Sequence, residues 1–524
     1  MFLRLCSKPV LFIFILLIQG FFFQPVHAQV IPPNGPGGPV LVIGSSSDPF
    51  ARYSAEMLRA EGMNEFSVLN LGSVNSTVLA SYDVVVLGRQ SLTTTQVTMF
   101  TNWVNSGGVL IAIRPDKRLA GLLGLTDAAA TLSDRYLLIQ TASGPGKGLV
   151  SQTIQFHGTA DLYNLNGATA LATFYSTAST ATTHPAVSWR TVGSNGGKAI
   201  GFLYDLNRSV VFTRQGNPAW AGDDRDGDGR VRSNDLFFGP KVGDVQPSWV
   251  DFSKIQIPQA DEQQRLLANI IIRANEHKKP LPRFWYLPSD HQAAVVISGD
   301  NHGGTGTGEF FNYLRSVSPS NTAQAVQNWQ AIRGTSNVYP NHPMSNSVAS
   351  SFQAQGFEIS LHLNTNCAGF TSTSVQTSLQ TQLAAFTAAY PGLTPPSTCR
   401  IHCGMWSSWS GLASAEQQNG IRLSKDYYYF PAPWVQNRPG LFTGSGLPMR
   451  YTTSTGTLID NYQVPTQITD ESGQDITLHI NTLLNNATGS NGYYGVFCVN
   501  NHKEKKYKTE EDKIIDQDKK RKVT

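Results

Sequence analysis

The sequence predicts an α/β protein in two parts: an N-terminal doubly wound parallel sheet, then a C-terminal (β/α) barrel. Three observations lead there. Between residues 39 and 113, short continuous Val/Ile/Leu runs alternate with segments of helical period, the pattern of buried parallel strands and their crossovers. Pro280-Leu-Pro282 then ends a long helical segment and marks a boundary. Beyond it, apolar runs end abruptly in acids and imidazoles, as Val295-Val-Ile-Ser-Gly-Asp-Asn-His302 does. Parallel strands deliver polar groups to their carboxyl ends in this way.

Residues 1–28 read as a secretory signal, with Arg4 and Lys8 ahead of an apolar run from Val10 to Phe23 and Val26-His-Ala28 as the small-residue cleavage site. The mature chain is expected to begin at Gln29, to be secreted and extracellular, and to span no membrane, because no second long apolar run follows. Only 15% of residues are charged. The net charge of +4 is mostly that of the tail 503–524, which holds nine basic and six acidic residues. That tail is expected to be charged and disordered, or an aberrant end of the coding sequence, and is left out of the fold. The basic residues form no stripe with interleaved aromatics, which excludes nucleic-acid binding. Of five cysteines, Cys6 leaves with the signal; Cys367, Cys399, Cys403 and Cys498 permit two disulfides in three pairings, or buried thiols. Asn75, Asn207 and Asn486 head glycosylation sequons.

The first domain, 39–280, begins with strand Pro39-Val-Leu-Val-Ile-Gly44. A helix over 51–61, strands 66–71 and 82–88, a helix over 94–105 and strand 109–113 follow. Residues 126–280 are rich in Thr, Ser and Ala, add β structure, and end in a helix over 259–276. Tyr82-Asp-Val-Val-Val-Leu-Gly88 and Phe100-Thr-Asn-Trp-Val-Asn-Ser-Gly-Gly-Val-Leu-Ile111 resemble the class I glutamine amidotransferase-like fold, which implies a flavodoxin-like sheet. That family's chemistry needs a cysteine nucleophile, and this segment has none, so a binding or scaffolding role is expected. Within it, Asp224-Arg-Asp-Gly-Asp-Gly-Arg-Val-Arg-Ser-Asn-Asp235 has Asp224, Asp226, Asp228 and Asp235 at positions 1, 3, 5 and 12 of a calcium loop. Oxygens at alternate positions let one short loop wrap a hard cation, so a structural Ca²⁺ is expected.

In the second domain, 283–502, four segments end in histidine: His302, His362 after Gly356-Phe-Glu-Ile-Ser-Leu, His402 in Cys399-Arg-Ile-His-Cys403, and His502 after Gly495-Val-Phe-Cys-Val-Asn-Asn. Converging at one rim, they and Asp300 are candidates for metal binding or acid/base work. The region resembles the polysaccharide deacetylase family, metal-dependent carbohydrate esterases on a distorted (β/α) barrel. The resemblance implies Asp300 as general base, Arg400 as the site arginine and His502 or His479 as the late histidine. Asn301 and Asn366 stand where the family has Asp and His ligands. Asp300, His302 and His362 supply a two-His-one-carboxylate set with an open position, suited to Zn²⁺ or another divalent transition metal, with His402 as an alternative base. Trp406, Trp409, Tyr428 and Trp434, with His502, are expected to line a groove for a glycan, and the loop 444–451 to bring Arg450 near it. The expected activity is hydrolysis of the amide carbon–nitrogen bond of an N-acetylated polysaccharide. The alternative is a non-catalytic extracellular carbohydrate-binding or adhesion protein.

Overall fold

The computed structural model describes residues 34–239, 249–430, 432–503 and Ile515. The expected signal, 1–28, and the tail beyond Lys503, apart from Ile515, lie outside the described residues.

The first sheet contains β1 (Val40–Gly44), β2 (Phe66–Asn70), β3 (Val84–Leu87), β4 (Val109–Ile113), β5 (Leu125–Ile139), β6 (Ile154–Leu165), β7 (Thr169–Tyr175), β8 (Ala181–Val192) and β9 (Gly197–Phe202). Its order is β2-β1-β3-β4-β9-β8-β7-β5-β6. β1, β3 and β4 are buried at every position, because a parallel strand is covered on both faces and only a continuous apolar run tolerates that. Pairing is parallel from β2 through β9 and antiparallel from there to β6. The Thr/Ser/Ala-rich segment thus extends the same sheet. Helix Thr94–Asn105 starts at a capping box: the Gln96 amide N–H donates to Thr93 Oγ1 at 3.2 Å, and the Thr93 amide N–H donates to Gln96 Oε1 at 2.8 Å.

The second sheet contains β10 (Ala293–Asn301), β11 (Thr335–Val338), β12 (Glu358–Leu363), β13 (Thr398–Ile401), β14 (Leu423–Ser424), β15 (Met449–Thr452), β16 (Leu458–Gln463), β17 (Thr466–Thr469) and β18 (Gly495–His502). Its order is β15-β16-β14-β13-β12-β11-β10-β18-β17, parallel except for the β15–β16 pair. The expected barrel is a curled, half-barrel sheet, drawn together at one point. There the chain after β14 reaches the first residue of β17: Thr466 N–H donates to Tyr427 O at 2.7 Å and Tyr429 N–H to Thr466 O at 3.0 Å.

From residue 34 onward, the described residues form one compact unit. Helix Gln259–Asn275 is buried on most of its surface because it bonds both regions: Gln263 Nε2 donates to Gln155 O at 3.1 Å, and Asp261 accepts the Ser445 hydroxyl at 2.6 Å. Arg450, expected near the site, instead pairs with Glu56 of the first region at 2.7 and 2.9 Å. A buried carboxylate on the facing helix is a stronger partner for a guanidinium than an open rim. Among the described residues, no helix is long and apolar enough to cross a membrane.

Candidate active site

Strand register builds the site in steps. Asp300 on β10 lies beside His502 on β18 and Asn337 on β11, and Asn337 lies beside Ser360 on β12. His362 follows Ser360 by two residues and pairs across to Arg400 on β13. Side chains two apart on a strand share a face. His302, two past Asp300, and His402, two past Arg400, therefore extend the same face just beyond their strands. The three imidazoles meet: His302 lies 5.2 Å from His362 and 5.0 Å from His402, and His362 lies 5.3 Å from His402, between ring centres. His502 stacks on His302 at 5.7 Å.

One nitrogen from each of His302, His362 and His402 falls within 4.8 Å of the others. His362 Nδ1 bonds the Arg400 carbonyl at 3.1 Å, which fixes Nδ1–H as the donor and turns the Nε2 lone pair inward. That Nε2 is buried and has no hydrogen-bond partner. Burial lowers the His362 pKa to about 3 despite the facing Asp300 carboxylate, and burial with the neighbouring His302 lowers that of His402. A neutral imidazole with an unpartnered lone pair, as at His362, is what a borderline metal ion requires, and three histidines so gathered are a donor set of catalytic zinc. The donor set fits such an ion.

Asp300 is not part of this trio. Its carboxylate accepts Asn337 Nδ2 at 2.8 Å and Asn500 Nδ2 at 2.8 Å, and lies 3.6 Å from Arg400 Nε and 3.9 Å from His362 Nδ1. Desolvation would raise its pKa; His362, Arg400 and the Asn337 amide outweigh that and hold the carboxyl well below the usual range. Since His362 is itself neutral, Arg400 and the charged His502 supply the lasting charge. Asp300, expected as metal ligand and base, is a buried anion facing His362 and Arg400. Arg400 is fully buried beneath it, donating to the Tyr428 hydroxyl, to Ser298 Oγ at 3.0 Å and to Thr466 Oγ1 at 3.1 Å. His402, expected as an alternative base, belongs to the imidazole trio.

His502 differs from the others. Its Nδ1 lies 3.0 Å from Asp470 and its Nε2 3.5 Å from Glu471. Against the desolvation that lowers it, these two carboxylates raise its pKa to about 9. His479 lies elsewhere, its Nε2 accepting the Gly440 N–H at 3.0 Å.

The two asparagines have local reasons. Asn301 is buried, donating to Thr307 Oγ1 at 2.9 Å and accepting the Gly303 N–H at 3.0 Å. Asn366 is exposed with φ of 55°, a left-handed conformation that Asn adopts readily. The next residue, Cys367, forms a disulfide with Cys403, while Cys399 and Cys498 are buried free thiols.

Of the expected aromatic groove, only Tyr428 reaches the site, through its hydroxyl, which accepts Asn500 Nδ2 at 2.9 Å. Trp406 is 1% exposed, edge-on to Tyr427 at 4.8 Å and stacked on Tyr451 at 5.6 Å. Trp409 is buried against Phe212 at 6.0 Å, and Trp434 packs on Phe238 at 5.3 Å. These rings fill the core where the two regions meet. Sequence reasoning missed Tyr339, which stacks on His362 at 5.1 Å, and the amides Asn337 and Asn500. The signal was faint: β11 is the polar tetrapeptide Thr-Ser-Asn-Val, without an apolar run.

In the acidic loop, Asp224, Asp226 and Asp235 bring carboxylate oxygens within 4.8 Å of one another. Asp228 does not join them; it pairs with Arg232, four residues on. Asp224 accepts the N–H groups of Gly227 at 2.8 Å and Gly229 at 2.9 Å, and burial pushes Asp235 up to about 6. Of the sequons, Asn207 is 1% exposed and accepts the Ser54 hydroxyl, so the folded protein cannot present it for glycosylation.

No protein-family model matches the chain, and no curated protein matches it. Among solved structures, it is similar to Agd3, described as a novel carbohydrate deacetylase, at 12% identity and a TM-score of 0.33, over 90% of this chain and 79% of that one. It is also similar to a cold-adapted β-galactosidase from Rahnella sp. R3, at 17% identity and a TM-score of 0.26, over 32% of this chain and 28% of that one. The chain thus spans less than a third of that enzyme's length. The N-terminal domain of mmIFT52 is matched at 12% identity and a TM-score of 0.25, over 31% of this chain and 86% of that one.

Proposed function

We propose that the protein is a secreted, metal-dependent hydrolase of carbon–nitrogen bonds that deacetylates an N-acetylated polysaccharide. The observation that carries this reading is the meeting of His302, His362 and His402 nitrogens within 4.8 Å, beside a buried Asp300–Arg400 pair. These three histidines would hold a divalent transition metal, with zinc the best match to an all-imidazole set. Such an ion supplies positive charge that polarises an amide carbonyl and acidifies water.

The chain's own residues do the rest. Asp300 and the Arg400 carbonyl fix the tautomer and tilt of His362. His502, charged at neutral pH, holds a proton at the rim and gives it to the departing amine nitrogen. The Tyr428 hydroxyl, set between Arg400 and Asn500, offers a fixed polar group at the floor. The acidic loop would take Ca²⁺ in a structural role, through Asp224, Asp226 and Asp235.

The test combines elemental analysis with acetate release from N-acetylglucosamine oligomers, on wild type and on a His302→Ala/His362→Ala variant. Near-stoichiometric zinc, or another transition metal, with acetate release, both lost in the variant, supports the proposal. Calcium alone, or no metal in either protein, would favour the extracellular carbohydrate-binding reading.

A further inference from the structure

A second site lies far from the histidines. β18 carries His502 at its carboxyl end, and Tyr494 immediately precedes its amino end. Eight residues of strand separate them by roughly 26 Å. At that amino end a cavity of about 340 Å³ is lined by Lys147, Arg265, Arg283, Phe284, Trp285, Tyr286 and Tyr494, among others.

The segment 283–286 is strapped down firmly. Arg283 Nε donates to Glu61 O at 2.8 Å, Tyr286 donates its hydroxyl proton to Glu61 at 2.7 Å, and Phe284 N–H bonds Gly62 O at 2.9 Å. Yet it presents Phe284 and Trp285 at 61% and 42% exposure. Trp285, Tyr286 and Tyr494 form one aromatic group, with ring centres 4.8 to 5.6 Å apart. Large apolar rings held outward by a rigid backbone mark a binding surface. Beside them stand three cations. Glu61 and Glu262 compensate Arg283 and Arg265, while Lys147 makes no ion pair among the described residues. One positive charge is left over.

We propose that this cavity binds a sugar residue bearing a carboxylate, a uronic acid unit of a polysaccharide, as an anchoring site separate from the histidine centre. The exposed rings take the apolar C–H face of the pyranose, and Lys147 with the two guanidinium groups takes the carboxylate. The preceding reading contributes only the ligand class, a glycan.

The experiment is calorimetric titration of the full chain with a galacturonate hexamer and with a neutral cellohexaose. Wild type, Phe284→Ala/Trp285→Ala and Lys147→Glu are compared, with acetate release measured alongside. Both changes are at exposed side chains and leave the core intact. The proposal expects galacturonate binding that weakens about tenfold or more in each variant, equivalent to 1.4 kcal/mol, while acetate release on a short oligomer is unchanged. It is overturned if wild type does not bind the hexamer, if both variants bind it as wild type does, or if cellohexaose binds equally well. Because binding is read without catalysis, loss of acetate release in all proteins would count against the deacetylase reading alone.

Discussion

At the carboxyl ends of β1, β3 and β4 the polar side chains find one another: Asp48 meets Arg208 at 2.8 Å and Arg89 at 3.5 Å, and Arg114 meets Asp161 at 2.8 Å. At the corresponding ends of β10, β12 and β13, three imidazoles face one another instead, and a buried His362 nitrogen is left without a partner. Both rims are products of the same parallel-strand topology. The difference is that charges in the first rim are mutually satisfied, which makes it a structural seam. The second rim gathers like groups, and the buried His362 Nε2 among them keeps an unpartnered lone pair. The second rim is therefore the candidate site.

Several changes would sharpen or break the contrast. The largest effect belongs to His362→Ala, expected to lower acetate release at least about a thousandfold, since outer partners of metal ligands alone cost about 10–100-fold. Steady-state kinetics with matched metal analysis would check it. Asp300→Ala leaves the Arg400 guanidinium buried without its anion and should destabilise the fold by about 3–5 kcal/mol, read from the urea midpoint.

A pH effect comes from His479, which burial holds neutral with a pKa lowered to about 4. Between about 6.5 and 4 the unfolded chain binds a proton that the folded chain does not, so stability rises with pH across that window and is lost as pH falls through it. The loss is roughly 3 kcal/mol, and His479→Gln should flatten it in urea titrations at pH 7 and 4.5. The smallest effect is expected at the first rim: Arg114→Ala should cost no more than about 1 kcal/mol and leave metal content and acetate release untouched. A first-rim change that abolished activity would break the contrast.

Much of the fold was legible because buried parallel strands must be apolar without interruption. β4 and helix Thr94–Asn105 fall on the expected residues for that reason. The strand-end histidines were legible because an imidazole directly after an apolar run has few structural excuses. What failed were matters of direction. Sequence cannot show that Asp300 bonds two amides and backs His362 and Arg400 rather than joining the cluster of three imidazole nitrogens, or that Asp228 turns to Arg232. Nor can aromatic density separate a groove from a core, so Trp406 and Trp409, expected at a glycan, lie in the interior. Asn337, and Tyr339 just past the end of its strand, were invisible because that strand is short and polar, and is held by its neighbours rather than by its own pattern.

The most direct test of the central claim is zinc affinity, by competition with a chromophoric chelator, in His402→Ala and Asp300→Asn proteins. The three-histidine centre requires His402→Ala to lose zinc binding while Asp300→Asn keeps it within about tenfold of wild type. Loss of zinc in Asp300→Asn with full binding in His402→Ala would contradict it.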